Sequence, residues 1–288
     1  MWVHLNGRLV AEEEARISVF DRGLLFGDGI FETMRAVAGR VFRLERHVRR
    51  LERSAGSIGL DLPWRSDRIV SLIDALLESN KLIEARIRLT VTRGRGRPGD
   101  FVGTDSLPTV IVTAAPFQPL PARDHAEGVA VSIVGRCAIP HASIDASIKS
   151  ISRLASVLAR REARGKGAHE AILLDGAGCV TEGTASNIFL VEGGALVTPP
   201  APEGSLPGIT REAILELARE SGRTAREEPV PSERLHAAEE IFLTNTSWEV
   251  LPVTRIDGRA VSGGRPGPAT SALLDLYRSL LRRECGGG

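Results

Sequence analysis

Three lysines, Lys81, Lys149 and Lys166, stand against 34 arginines in this chain. Arginine keeps its charge, whereas lysine can lose its proton and attack a carbonyl, so a lysine retained in such a chain can be there for its chemistry. Lys81 and Lys166 read as members of solvated faces. Lys149 lies in Ile148-Lys149-Ser150-Ile151-Ser152-Arg153-Leu154, among small and apolar neighbours. The pattern predicts a helix from about Ser150 to Arg164, with Leu154, Ala155, Val157 and Leu158 facing inward. Desolvation and the positive end of that helix would both depress the ammonium pKa and favour the reactive amine. On composition alone, a lysine snorkelling at the surface is the favoured reading.

A carboxylate comes next. Thr181-Glu182-Gly183-Thr184-Ala185-Ser186-Asn187 separates two apolar runs, Ala171 to Leu174 and Ile188 to Val191. Glu182, flanked by small residues between buried strands, needs a cation or a strong donor, and a protonated pyridine nitrogen would serve. A plain turn is the other reading. In Leu206-Pro207-Gly208-Ile209-Thr210-Arg211, Gly208 permits close backbone approach and Thr210 can cap a helix whose first amides form an anion site. Thr244-Asn245-Thr246-Ser247, just after a strand, offers hydroxyls and amides to a second side of a phosphate. Among the arginines from Arg43 to Arg53, Arg50 is the one expected to point inward at a phosphate. Arg86, Arg88, Arg93, Arg95 and Arg97 could clamp a carboxylate or form an RNA-binding patch. The balance of 37 basic against 36 acidic residues and 4% aromatics argue against nucleic acid.

The elements that must position these residues follow from periodicity. A hairpin is expected to turn at Asn6-Gly7, and a strand pair to flank Ala38-Gly39-Arg40. Helical spacing covers Leu44 to Ile58, and Ser66 is expected to cap a second helix. Strands are expected at Arg86 to Thr92, Thr109 to Ala114 and Val129 to Val134, with a meander from Glu170 to Val197. A helix opens at Thr210, a strand covers Ile241 to Thr244, and a last helix runs from Ala269 to Arg283. The proline-rich Pro116 to Pro121 reads as a linker. The expected division is an N-terminal domain over residues 1–116, a linker over 117–126 and a cofactor-binding domain over 127–288. Helices mixed with hairpins imply an α+β fold.

The 288 residues, 42% hydrophobic and 25% charged, fit a globular chain. No apolar stretch is long enough to span a bilayer, and the N-terminal residues do not read as a signal peptide. Cys137, Cys179 and Cys285 show no CxxC pattern and suit a reduced cytoplasm. Gly286-Gly287-Gly288 is expected to fray.

In order along the chain, these segments resemble the fold-type IV aminotransferases: D-amino-acid transaminases, branched-chain aminotransferases and aminodeoxychorismate lyases. The resemblance rests on Asp21 to Glu32, His47 to Leu51, Val91-Thr92-Arg93-Gly94, Ile148-Lys149-Ser150, Thr181-Glu182-Gly183, Leu206 to Arg211 and Thr246 to Pro252. It implies a mixed α/β fold with a smaller N-terminal domain and a larger C-terminal domain built on a mixed, barrel-like sheet. It also implies pyridoxal 5'-phosphate, carried by Lys149 as a Schiff base with Glu182 at the pyridine nitrogen. Arg50, Ile209, Thr210 and Thr246 match the phosphate cup, and Leu206 the residue packed on the ring. By the same resemblance the chain is a homodimer acting on small amino and 2-oxo acids. Lys149 would then move a proton between the substrate α-carbon and the cofactor's C4′, and Glu182 would keep the ring nitrogen protonated.

The subtype stays open between D-amino and branched-chain donors. D-amino-acid transaminases carry an Arg-x-His trap, and here Arg95-Gly96-Arg97 has no histidine. Branched-chain enzymes carry Tyr-x-Arg, and here Arg86-Ile87-Arg88 keeps only the arginine; their tyrosine five residues after the lysine is Leu154 here. Arg88, with Arg95 or Arg97, is the candidate carboxylate binder, with Phe31 and Ser247 as further substrate contacts. Aminodeoxychorismate lyase is one alternative, and a non-catalytic cofactor- or phosphate-binding protein is another.

Overall fold

The computed structural model describes residues 1–97, 99–102, 107–135, 138, 144–201 and 204–286. Cys137, Gly287 and Gly288, used in the reading above, lie outside the described residues. The chain forms two compact units. One joins Met1–Gln118 to Ile148–Arg153 and Leu281–Gly288; the other joins Pro119–Ser147 to Leu154–Leu280. The six residues around Lys149 thus pack with the first unit, whereas the linear division placed them in the second.

The first unit contains β1 (Trp2–Leu5), β2 (Arg8–Ala11), α1 (Arg22–Phe26), β3 (Gly29–Val37), β4 (Arg40–Val41), α2 (Leu44–Ser57), α3 (Ser66–Ser79), β5 (Ala85–Thr92) and β6 (Thr109–Pro116). Its six strands pair in the order β2-β1-β6-β5-β3-β4, antiparallel throughout. Asn6 and Gly7 close the first hairpin with φ of 51° and 80°, the left-handed pair that a two-residue turn requires. Ala38 and Gly39 do the same between β3 and β4. The expected second strand shortens to two residues, because Leu44 already belongs to α2.

Alternation decides what β3 buries. Ile30, Glu32, Met34 and Ala36 face inward, while Phe31, Thr33 and Arg35 stay half-buried on the other face. Against that inner face, α2 lays His47, Val48, Arg50, Leu51, Ser54 and Ala55, and α3 adds Ile69, Ile73, Leu76 and Leu77. Each such aliphatic side chain contributes roughly 1.5–3 kcal/mol by leaving water. Ser66 is not a cap: Arg65 holds that position, with no side-chain bond, and Ser66 is the first helical residue.

The second unit holds α4 (Ala122–Glu127), β7 (Val129–Ile133), α5 (Leu154–Gly165), β8 (Glu170–Leu174), β9 (Cys179–Gly183), β10 (Asn187–Glu192), β11 (Ala195–Thr198), α6 (Ile209–Glu220), β12 (Ala225–Glu227), β13 (Val230–Pro231), α7 (Arg234–Ala237), β14 (Glu240–Asn245), β15 (Glu249–Ile256) and β16 (Arg259–Ala260). The final helix is α8 (Pro268–Cys285). Ten strands make one mixed sheet, ordered β12-β11-β10-β14-β15-β7-β8-β9-β13 with β16 beside β15. β7 runs parallel to both β15 and β8, and β11 runs parallel to β12. The fold is mixed α/β, as the resemblance implied. Among the described residues, no helix is long and apolar enough to cross a membrane.

Two helix starts differ from expectation. α5 begins at Leu154, not Ser150, and its inward residues are Ala159 and Ala163; Leu154 and Val157 are exposed. The cause lies upstream, where Lys149 to Ile151 spend their backbone on β3 instead of on a helical turn. α6 begins after Gly208, and Thr210 is its buried second residue, not its cap.

Candidate active site

Lys149 is half-buried, and its position is set by a strand-like pairing. The Phe31 amide donates to the Lys149 carbonyl at 2.9 Å, and the Ile151 amide donates to Gly29 at 3.0 Å. A bridge joins Ile30 to Ser150 between them. On the other side, the Lys149 amide donates to Ser54 Oγ on α2 at 3.2 Å. Gly29 permits this crowding, since a Cβ there would meet the Val91 carbonyl oxygen at 2.6 Å. Because no helix starts at Lys149, a helix dipole does not explain any reactivity of its amine.

The Phe31 ring lies within reach of two cations. Lys149 Nζ is 4.9 Å from its centroid, and Arg88 Cζ is 3.9 Å from the same centroid. Both distances fit cation–π attraction. Arg88 sits opposite Thr33 across the β3–β5 ladder. Burial, together with the charges of Arg86 and Arg153, pushes the Arg88 guanidinium below its ordinary pKa. Arg95 and Arg97 are exposed, and Arg95 forms a backbone bridge with Asp21.

Beneath Lys149 lies a buried ionic group that the sequence reading missed. Glu32 Oε1 accepts from Arg50 Nε at 2.7 Å, and Glu32 Oε2 accepts from Arg50 Nη2 at 2.6 Å. His47 Nδ1 lies 2.7 Å from Glu32 Oε2. All three side chains are buried. Burial alone would raise the Glu32 pKa, but the charge and hydrogen bonds of Arg50, with those of His47, hold it at about 2. Burial pushes His47 below its ordinary value, an effect Glu32 partly offsets. Arg50 therefore points inward as expected, but Glu32 grips it in a fork. The signal was available: Glu32 occupies an inward position of β3, where a carboxylate demands a partner.

In the second unit, Glu182 sits on β9 and Leu206 in the turn before α6. The Leu206 amide donates to Glu182 Oε2 at 2.9 Å, which fixes the carboxylate. Asn187 Nδ2 donates to the Leu206 carbonyl at 2.8 Å. Gly208 fits close beneath, since a Cβ there would lie 2.0 Å from Asn187 Oδ1. α6 then opens at Ile209 with no side-chain cap on its first turn. α6 packs on β14, where Thr244 Oγ1 is buried and makes no hydrogen bond. Thr246 and Ser247 follow β14. The Ser247 amide is taken by Asn245 Oδ1 at 2.8 Å, so the hydroxyls, more than that amide, are what this loop can offer an anion.

The structure thus gathers Lys149, Phe31, Arg88 and Arg50 in one unit, and Glu182, Leu206, Ile209, Thr210, Thr246 and Ser247 in the other. Arg95 and Arg97 stand apart on the surface. The second unit by itself offers a fixed carboxylate, an uncapped helix start and a buried hydroxyl without a partner, groups suited to a phosphorylated ring. Residues 29–256 match the model of the amino-transferase class IV family, and the chain belongs to it.

A Methanocaldococcus jannaschii protein provisionally assigned as a branched-chain-amino-acid aminotransferase is 40% identical over 97% of this chain and 96% of its own. The D-alanine aminotransferase of Bacillus licheniformis is 36% identical over 99% and 98% of the two chains. The branched-chain amino acid aminotransferase of Escherichia coli superposes with a TM-score of 0.94 at 31% identity, covering 97% of this chain and 94% of the other. Similar solved structures hold pyridoxamine 5'-phosphate or pyridoxal phosphate. The chain is a pyridoxal-phosphate-dependent aminotransferase, acting on small amino acids and 2-oxo acids.

Proposed function

We propose that Lys149 bonds the cofactor aldehyde and that the preferred donor is a branched-chain amino acid with 2-oxoglutarate as acceptor. The observation that carries the donor assignment is the Phe31 ring in contact with both Lys149 and Arg88. It gives the lysine an apolar wall that suits an aliphatic side chain, with one guanidinium beside it for a carboxylate. A D-amino acid is the second reading, favoured by the D-alanine aminotransferase relative.

The cofactor supplies an electron sink for the carbanion formed at the substrate α-carbon. Every other task falls to the chain's own side chains and amides. Lys149, once freed from the aldehyde, would take the α-proton and deliver it to the cofactor's C4′. Glu182, steadied by the Leu206 amide, holds a proton on the ring nitrogen. The Ile209 and Thr210 amides, the Thr210 and Thr246 hydroxyls and Arg50, oriented by Glu32, bind the phosphate. Leu206 packs on the ring, and Arg88 receives the carboxylate, with Phe31 and Ser247 as further substrate contacts.

The proposal extends to a homodimer in the cytoplasm. Exposed Leu24, Leu25 and Phe26 on α1, with Phe101, Val102 and Leu107 between β5 and β6, supply apolar surface for a second copy. Cys179 and Cys285 are free thiols, in keeping with a reducing compartment.

Borohydride reduction of the yellow holoenzyme should fix the cofactor on Lys149 alone; a label on Lys81 or Lys166 overturns the assignment. A donor panel of L-leucine, L-valine and D-alanine with 2-oxoglutarate should favour the first two. Faster transfer from D-alanine would replace the first reading with the second. Pyruvate release from aminodeoxychorismate without transamination would replace both.

A further inference from the structure

Outside these contacts, the second unit holds an ion pair that the mechanism does not use, Arg160–Glu170, with the carboxylate buried and the guanidinium partly exposed. Glu170 opens β8 and is fully buried. Its Oε1 accepts from Arg160 Nε at 3.2 Å, from the Thr184 hydroxyl at 2.5 Å and from the Ala171 amide at 2.9 Å. Its Oε2 accepts from Arg160 Nη2, and from the Ala185 amide and Ser186 hydroxyl, both at 3.3 Å. Arg160 Nε also lies 2.9 Å from the Thr184 hydroxyl. Thr184, Ala185 and Ser186 form the turn that directly follows Glu182 and Gly183. One carboxylate therefore gathers three consecutive residues of that turn.

Arg160 reaches a second loop as well. Its Cζ stands 5.0 Å from the Trp248 ring centroid, and His169 meets the same ring edge-on at 4.9 Å. Trp248 closes the Thr246-Ser247 loop, its amide donating to Asn245 Oδ1 at 2.7 Å. Asn245 Nδ2 in turn donates to the Ala185 carbonyl at 3.0 Å. The turn after Glu182 and the loop of Thr246 are thus fastened to each other and to one ion pair.

We propose that Arg160 and Glu170 are a positioning pair that sets the Glu182 turn and the Thr246 loop in register for the two ends of the cofactor. The inference rests on the reading of Glu182 and Thr246 as the ring-nitrogen and phosphate contacts. A buried ion pair adds little to stability compared with an apolar pair of the same volume, so what it contributes here is geometry. Removing Arg160 leaves the Glu170 charge buried, and removing the Glu170 charge leaves the turn without its common acceptor. That frees the turn to shift, and both cofactor contacts should slacken together.

The test uses the purified holoenzyme and the variants Glu170→Gln and Arg160→Lys. Three quantities are read: the rate of cofactor release into a carbonyl trap, the pH titration of the visible absorption band, and the melting temperature. Glu170→Gln should release the cofactor about tenfold faster or more and move the midpoint of the absorption titration. Arg160→Lys keeps the charge but loses the planar fork, and should shift both in the same direction by less. A purely structural pair would lower the melting temperature and leave the absorption titration where it was. Release within twofold of the parent with an unmoved titration therefore overturns the inference, whatever the melting temperature.

If Glu170→Gln fails to fold, Thr184→Val removes one donor from the same carboxylate and carries the same two outcomes. A parent enzyme that Lys149 labels correctly, combined with silent variants, removes this inference alone. A parent chain that takes up no pyridoxal phosphate removes the reading beneath it too.

Discussion

The Phe31 amide donates to the Lys149 carbonyl at 2.9 Å, so the lysine is registered against strand β3 by main chain. Side-chain substitution at residue 31 leaves that bond in place and removes the ring alone. The ring is what Lys149 Nζ and Arg88 Cζ share, at 4.9 and 3.9 Å from its centroid. Backbone placement and ring chemistry can therefore be separated by one mutation.

Phe31→Leu should raise the donor KM about fivefold to thirtyfold with a smaller fall in kcat, because a desolvated cation–π contact contributes about 1–2 kcal/mol. Borohydride labelling of Lys149 should persist, since the lysine is still held by main chain. Steady-state kinetics with a branched-chain donor give the answer, and an unchanged KM would remove the ring from the substrate site.

Arg88→Gln separates two roles for its guanidinium. If Arg88 binds a side-chain carboxylate, KM for 2-oxoglutarate should rise about 10- to 150-fold, as loss of a charge-assisted bond of about 1.5–3 kcal/mol requires. KM for a monocarboxylic 2-oxo acid should then hardly move. If Arg88 binds the α-carboxylate, both should rise alike. No change with either acid would take Arg88 out of the substrate site.

Stability should fall as the solution is acidified, in two stages. His47 has a folded pKa below its ordinary 6.5, so the unfolded chain takes up a proton first. Its contribution is complete above about pH 6.5 and is lost as pH falls below that value. Glu32 is held at about 2 against an ordinary 4.5, so its contribution is complete above about pH 4.5 and is lost as pH falls toward 2. Burial likewise lowers His4, which adds to the first stage. Urea melts from pH 8 to 4 should show the decline, and His47→Gln should flatten the part that begins below about 6.5. An equally steep curve in that variant would mean His47 is not the group that titrates.

Much of the site could be read from the sequence where the information is local. Leu206-Pro207-Gly208-Ile209-Thr210 announces a turn and a helix start through residue type alone, and the structure has both there. The spacing of Val48, Leu51 and Ala55 fixed the inward face of α2 for the same reason. Lys149 shows where local information ends. Ser150 to Arg153 suit a helix or a strand, and only pairing with Gly29 to Phe31, over a hundred residues away, decides between them. Arg50 is similar: its inward aim follows from helical spacing, but its grip on Glu32 needs β3 and α2 to be packed together. Glu32 itself was readable from strand alternation beside Ile30 and Met34.

Gly208 and Asn187 provide a last test, because each explains the other. A Cβ at residue 208 would lie 2.0 Å from Asn187 Oδ1, so Gly208→Ala must displace either the amide side chain or the turn. Overpacking of this kind costs about 1–3 kcal/mol. Displacing the turn would also pull the Leu206 amide from Glu182, 2.9 Å away, and faster cofactor loss should accompany the lower melting temperature. Asn187→Ala opens the space but removes the donor to the Leu206 carbonyl, and so is harmful by itself. The double variant Gly208→Ala/Asn187→Ala should then be no worse than Asn187→Ala alone, a non-additivity of the size of the relieved clash. Additive losses in urea melts would show that Gly208 is required by its own backbone and not by the amide packed against it.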